Sequence, residues 1–128
     1  MPGKRRILVV DDEEKYAAIL KEYLERSGAY EVCVEPLGAR ALAAAKAFRP
    51  DLVLLDLIMP DMDGGTVAMQ LCADPDVKET PIVFLSGAVS KEDVESLQGE
   101  FAGRPFLAKP AGLREMVECI EGQLANKP

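Results

Sequence analysis

An α/β fold, a five-stranded parallel sheet with five helices distributed over both faces, is what this sequence predicts, and two observations predict it. Short apolar runs rich in β-branched residues alternate five times with segments of helical period. Side chains able to do chemistry then stand just past the ends of four of those runs: Asp11-Asp12 after Ile7–Val10, Asp56 after Leu52–Leu55, Ser86 after Ile82–Leu85, and Lys109 after Phe106–Ala108. In an open parallel sheet the carboxyl ends of the strands gather along one edge, where such folds bind ligands and do chemistry.

The strands are expected at 5–10, 31–35, 51–56, 81–86 and 105–108. After the first, Tyr16, Ile19, Leu20, Tyr23 and Leu24 recur at helical spacing, and Ser27-Gly28 supplies a stop. The second helix is the alanine-rich segment 38–48, halted by Pro50. The third runs from about Gly65 to Ala73 and ends before the turn-forming Asp74-Pro75-Asp76. Ser90 with Asp93 makes a capping-box pattern for a short fourth helix that closes near Gly99. In the last, Leu113, Met116, Val117, Ile120 and Leu124 form one apolar stripe. Pro105 cannot donate a ladder hydrogen bond, which puts the fifth strand at a sheet edge. A single domain is expected over 1–128, with its core from about 5 to 124.

Composition narrows the function. The 128 residues are 48% hydrophobic and 29% charged, enough to bury a core without disulfides or a structural metal. No apolar run approaches the roughly 20 residues that span a bilayer, and nothing at Met1–Arg6 resembles a signal peptide, so membrane insertion is not expected and the cytoplasm is the expected address. A net charge of −7 argues against direct binding to nucleic acid or anionic lipid, and Lys4-Arg5-Arg6 is too short to reverse it. The three cysteines, Cys33, Cys72 and Cys119, show no CxxC spacing and read as small core or near-surface hydrophobes. Histidine is absent, which removes His-based catalysis and any phosphohistidine from this chain.

Each polar station also suits an ordinary structural role. Asp11-Asp12-Glu13-Glu14 fits an N-cap and an acidic first helical turn, Asp61-Met62-Asp63-Gly64 is turn chemistry, Ser86-Gly87 makes a simple turn, and Lys109 could be a solvated charge. Those roles taken together leave the common placement at strand ends unaccounted for.

From Arg5 to about Leu124 the chain resembles the receiver domain of two-component response regulators. The resemblance rests on Asp11-Asp12, Leu54-Leu55-Asp56, Met59-Pro60-Asp61-Met62-Asp63-Gly64, Ser86-Gly87 and Lys109-Pro110, in that order. It implies a flavodoxin-like sheet of strand order 2-1-3-4-5, for which this family is a standard illustration. With strands one and three adjacent, Asp11, Asp12 and Asp56 converge, and a hard divalent cation, Mg²⁺, offsets their repulsion. By the family's pattern Asp12, Asp56 and the backbone carbonyl of Ile58 ligate the metal, with Asp11 acting mainly through water. Asp56 is then the phosphoacceptor, receiving its phosphoryl group in trans from a histidine kinase or phosphotransfer protein. Ser86 and Lys109 neutralise the phosphoryl oxygens, and Lys109 gains in them a partner that it lacks at rest.

The resemblance also makes Pro110 a candidate for a cis peptide. It makes Ser86 and Phe106 candidate switch residues, although Phe106 can equally be a packing residue of the edge strand. The output surface would be the fourth helix, fifth strand and fifth helix, binding a downstream protein whose identity the sequence leaves open. Ile58 and Ala88, two places after the phosphoacceptor and the hydroxyl, offer no group to orient an attacking water, which predicts a long-lived aspartyl phosphate unless the small Ala88 leaves a gap through which water enters. Two alternatives remain: a Mg²⁺-dependent phosphatase or phosphotransferase with an aspartyl nucleophile, and a receiver-like interaction module that works without phosphorylation. Ile58 counts against the first, because such enzymes usually carry an acid–base aspartate there. The complete acidic pocket lends no support to the second.

Overall fold

The computed structural model describes residues 3–87, 100–101, 104–109 and 111–125, with backbone alone at 100–101. The strands are β1 (Arg5–Val10), β2 (Tyr30–Glu35), β3 (Leu52–Asp56), β4 (Ile82–Ser86), β5 (Glu100–Phe101) and β6 (Arg104–Ala108). The helices are α1 (Glu14–Arg26), α2 (Ala41–Phe48, entered through a 3₁₀ turn at Gly38–Arg40), α3 (Gly64–Ala73) and α4 (Leu113–Ala125). The expected helix at 90–99, the proposed cis peptide at Pro110 and the side chain of Ala88 lie outside the described residues.

The sheet runs β2-β1-β3-β4-β6-β5. Its five long strands are parallel, in the order expected, and β6 is the last of them. The short β5 was not expected from the sequence; its two residues pair antiparallel with Arg104 and Pro105. Two residues are too few to show an alternating or continuous apolar pattern.

Apolar strands form here because both faces are covered. Ile7, Val9, Leu52, Leu54, Val83 and Leu85 pack with Leu20 and Leu24 of α1 and with Met116 and Ile120 of α4. The intervening Leu8, Val10, Val53, Leu55, Ile82 and Phe84 pack with Ala41 and Ala45 of α2 and with Val67 and Leu71 of α3. Successive side chains of one strand thus feed two cores, so the central strands are apolar up to their carboxyl ends, where Asp56 and Ser86 stand.

Two details depart from expectation. The buried face of α1 is Ala17, Leu20 and Leu24, whereas Ile19 is 57% and Tyr23 38% exposed. Leu20 and Leu24 of the expected stripe are buried and Tyr16 packs against the same core, but the inner face is completed by the small Ala17 and not by Ile19 and Tyr23. The segment 38–48 is a 3₁₀ turn followed by a shorter α-helix, and it leaves through Arg49 at φ 56° before Pro50. Proline disfavours the right-handed helical conformation in the residue before it, which suits the end of α2 at Phe48, where the sequence placed it.

Register places the site. Val10 lies opposite Leu55, so Asp11 and Asp56 come next along neighbouring strands. Ser86 lies opposite Ala108, and the Lys109 N–H donates to the Ser86 carbonyl at 2.8 Å, which fixes the lysine one step beyond the serine.

Candidate functional site: an acidic pocket closed by a lysine

The loop after β3 turns sharply back into α3. Asp63 caps that helix, its carboxylate accepting from the Thr66 N–H at 2.9 Å and the Thr66 hydroxyl at 3.1 Å. Gly64 follows because nothing larger fits: a Cβ there would stand 2.8 Å from Leu57 Cα and closer still to the Asp56 carbonyl oxygen. Asp61 reaches the other way, accepting from the N–H groups of Gly38 and Ala39 at 3.2 and 2.9 Å. The loop carrying the aspartate is therefore pinned at both ends.

At the head of this loop, Asp56 is 3% exposed, and Asp11 and Ser86 are 0% and 1% exposed. One carboxylate oxygen from each of Asp11, Asp12 and Asp56 lies within 4.8 Å of the other two. Burial, reinforced by the charge of Asp11, pushes the Asp56 carboxyl up to about 6 against the opposing pull of Lys109. Its Oδ1 accepts from the Ile58 N–H at 3.3 Å, which folds Ile58 over the pocket edge, where its side chain is 62% exposed.

Lys109 closes the pocket. Its ammonium lies 2.9 Å from Asp11 Oδ2, 2.5 Å from Glu13 Oε1 and 3.5 Å from Asp56 Oδ2, and 5.0 Å from the centre of the Tyr16 ring. Burial works against its charge, but hydrogen bonds to Glu13 and Asp11 and the charges of Asp11 and Asp56 prevail and hold its pKa above the ordinary lysine range. The sequence pointed only to the phosphoryl oxygens as a partner that Lys109 lacks at rest; three carboxylates already hold it there. Strand-end counting could not show this, because the register is visible only once the strands are paired.

The structure brings Asp11, Asp12, Asp56 and Lys109 together, with Ser86 buried on the neighbouring strand. Phe106 is 2% exposed, packed in the core that holds Leu8 and Phe84, so any switching motion begins from a buried ring. Glu13 and Tyr16 were not singled out by sequence reasoning. Glu13 passed as part of an acidic first turn, and Tyr16 as one more member of an apolar stripe. Adjacency to the strand-end pair Asp11-Asp12 was the available signal for both.

A divalent cation fits these residues. Three crowded carboxylates, one of them made harder to ionise by burial and by its acidic neighbour, form a set of hard oxygen donors short of positive charge. A cleft of roughly 300 Å³ lined by Glu13, Asp56, Ile58, Gly87 and Lys109 opens beside them.

Fold and pocket together define a flavodoxin-like signalling domain with an acidic site at the carboxyl edge of its sheet. The chain belongs to the response regulator receiver domain family of two-component signalling, whose pattern it matches over residues 7–121. It is 38% identical over 121 residues to the DNA-binding response regulator MtrA of Mycobacterium tuberculosis, covering 94% of this chain and 51% of that protein. It is 35% identical over 124 residues to a protein-glutamate methylesterase/protein-glutamine glutaminase of Rhodospirillum rubrum, covering 95% of this chain and 33% of that one. The chain thus spans about half the length, or less, of these curated relatives. Among solved structures, a CheY-like response regulator receiver domain protein of Methanospirillum hungatei superposes with a TM-score of 0.81 at 28% identity, covering 98% of this chain and 97% of that one. No helix among the described residues is long and apolar enough to cross a membrane.

Proposed function

We propose that Asp56 accepts a phosphoryl group from a phosphohistidine on a partner kinase or phosphotransfer protein, and that the aspartyl phosphate then changes which protein this domain binds. The observation that carries this reading is the register, which sets Asp11 beside Asp56 and Lys109 one step past Ser86 at a single sheet edge. An Asp56 carboxylate oxygen attacks phosphorus as the donor's N–P bond breaks, and the bond's electron pair returns to the donor imidazole. The chain loses no atom and gains one phosphoryl group, held on Asp56 as an acyl phosphate. Bound Mg²⁺ would supply charge neutralisation, held by Asp12, Asp56 and the Ile58 carbonyl, with Asp11 acting through water. Lys109 and the Ser86 hydroxyl meet the transferred oxygens, because phosphoryl transfer needs positioning and charge neutralisation more than covalent machinery.

This reading makes the chain a phosphoacceptor rather than a turnover enzyme. Ile58, at the lip of the cleft, has no acid or base with which to process an external substrate. A downstream protein partner, no direct contact with nucleic acid and a cytoplasmic address belong to the same proposal, supported by the net charge of −7 and by the need for a phosphohistidine donor. Output through the segment 90–99, β6 and α4 extends it. Intact-mass analysis after incubation with a small phosphodonor tests the reading. One phosphoryl adduct is expected in wild type with Mg²⁺, and none without Mg²⁺ or in Asp56→Asn. An unmodified wild type, or continuous donor turnover without an adduct, would defeat it.

A further inference from the structure

Lys109 offers three N–H donors and no acceptor. In the unphosphorylated chain Asp11, Glu13 and Asp56 surround them, and the Tyr16 ring covers a further side. These contacts differ in how readily they can be exchanged. The Asp11 side chain is 0% exposed, and its Oδ1 also accepts the Glu13 N–H at 2.9 Å. The Asp56 side chain is 4% exposed. Glu13 reaches in from the surface, 60% exposed, at the N-cap position of α1, where its side chain makes no capping bond.

Among these three carboxylates, then, Glu13 is the one that a rotation at the surface can remove without unpacking the core. It also makes the shortest contact, 2.5 Å, with an ammonium whose own side chain is only 5% exposed. Such a pair is not an ordinary solvated surface ion pair, whose worth is small, because one partner is withdrawn from water. A phosphoryl group on Asp56 must enter the cleft that Glu13 and Lys109 line, carrying oxygens that need the same N–H donors.

Resting on the phosphoacceptor reading of Asp56, we propose that Glu13 is a displaceable resident anion. At rest it holds the place on Lys109 that a phosphoryl oxygen takes, so it competes with phosphoryl binding and is released when that group arrives. Glu13 is therefore a positioning residue: it acts through Lys109, not on the reacting atoms. The same contact ties the start of α1 to the loop after β6, so phosphorylation frees the amino end of α1.

Binding of beryllofluoride, a phosphoryl analogue, in the presence of Mg²⁺ tests this without any turnover. The dissociation constant is measured by ¹H–¹⁵N NMR titration for wild type, Glu13→Gln, Glu13→Ala and the neighbouring control Glu14→Gln, and the spectra also report whether each variant is folded. Both Glu13 variants are expected to bind about five- to twentyfold more tightly, the range for loss of one competing charge-assisted contact, with Ala gaining at least as much as Gln. Glu14→Gln should stay within about twofold. In wild type the residue 13 amide should shift on saturation. Unchanged or weaker binding in the Glu13 variants, or an equal gain in Glu14→Gln, overturns the proposal while leaving Asp56 as the acceptor. Failure of wild type to bind the analogue would defeat the phosphoacceptor reading itself, and this inference with it.

Discussion

The two ends of the central sheet treat charge in opposite ways. At the amino end, charges are paired or hydrogen-bonded at the surface: the Arg6 backbone N–H donates to Asp51 Oδ2 at 2.8 Å, its Nη1 to the Phe48 carbonyl at 2.7 Å, and its Nε lies 3.7 Å from Glu31 Oε1. At the carboxyl end, like charges are buried: Asp11 and Asp56 stand beside Asp12, with one ammonium against them. The first arrangement closes the sheet and costs little, because water still reaches the Arg6 and Glu31 side chains, 45% and 52% exposed. The second is destabilising by construction. Strongly perturbed, crowded carboxylates of this kind cluster at functional sites, and the proposed cation and phosphoryl group would relieve this one.

The largest effect that would sharpen this contrast is on stability at Asp56. In metal-free protein, Asp56→Asn should stabilise the fold near neutral pH by about 1–3 kcal/mol, the upper end following from a carboxyl raised from 3.8 to about 6. The sign follows from proton binding. The folded state holds this proton more tightly than the unfolded state, so the ionised carboxyl costs its full amount above about pH 6. That cost fades as the pH falls toward 4. Urea unfolding at pH 7.5, 6 and 4 should show the advantage of Asn shrinking in that order. A destabilised Asp56→Asn would break the contrast.

Next comes Gly64→Ala, where the added methyl meets the Asp56 carbonyl oxygen and Leu57 Cα at less than contact distance, so backbone must move. A loss of about 1–3 kcal/mol is expected, together with slower phosphorylation, because the shift falls on the phosphoacceptor's own peptide. At the amino end, Asp51→Ala should cost only about 0.5–1.5 kcal/mol, the worth of its bond from the Arg6 N–H, and leave phosphorylation unchanged. Denaturant midpoints and adduct rates on the same samples check both.

The smallest expected change in stability is at Ile58, 62% exposed at the lip of the cleft. Ile58→Asn should leave the unfolding midpoint in place yet speed loss of the aspartyl phosphate several-fold, by providing a group that orients water. First-order decay after donor removal measures it, and an unchanged rate would show that Ile58 does not set the phosphate lifetime.

Sequence legibility follows the same division. The parallel strands were readable because a continuous apolar run as short as Leu52–Leu55, bounded by polar residues, suits a strand buried on both faces, and the site aspartates because they end those runs. Two kinds of feature were not readable. Glu13 and Tyr16 reach Lys109 across the sheet edge, 96 and 93 positions away in sequence, and such pairing depends on register. The inner face of α1 was read only in part: Leu20 and Leu24 are buried as expected, but Ala17, which carries little apolar signal, was missed, while the larger Ile19 and Tyr23 face outward. Gly64 stood within a recognised turn, but its reason, a backbone approach that excludes a methyl group, exists only in three dimensions.

If the proposed function is right, the crowded carboxyl end of the sheet carries its phosphoryl group on Asp56 and on no other aspartate. Borohydride reduces an acyl phosphate at aspartate to homoserine, so reduction of the Mg²⁺- and donor-treated protein followed by peptide mapping identifies the acceptor directly. Homoserine at position 56, and its absence when Mg²⁺ is withheld, is the predicted result. Homoserine at Asp11, Asp12 or any other aspartate, with position 56 unmodified, would contradict the account.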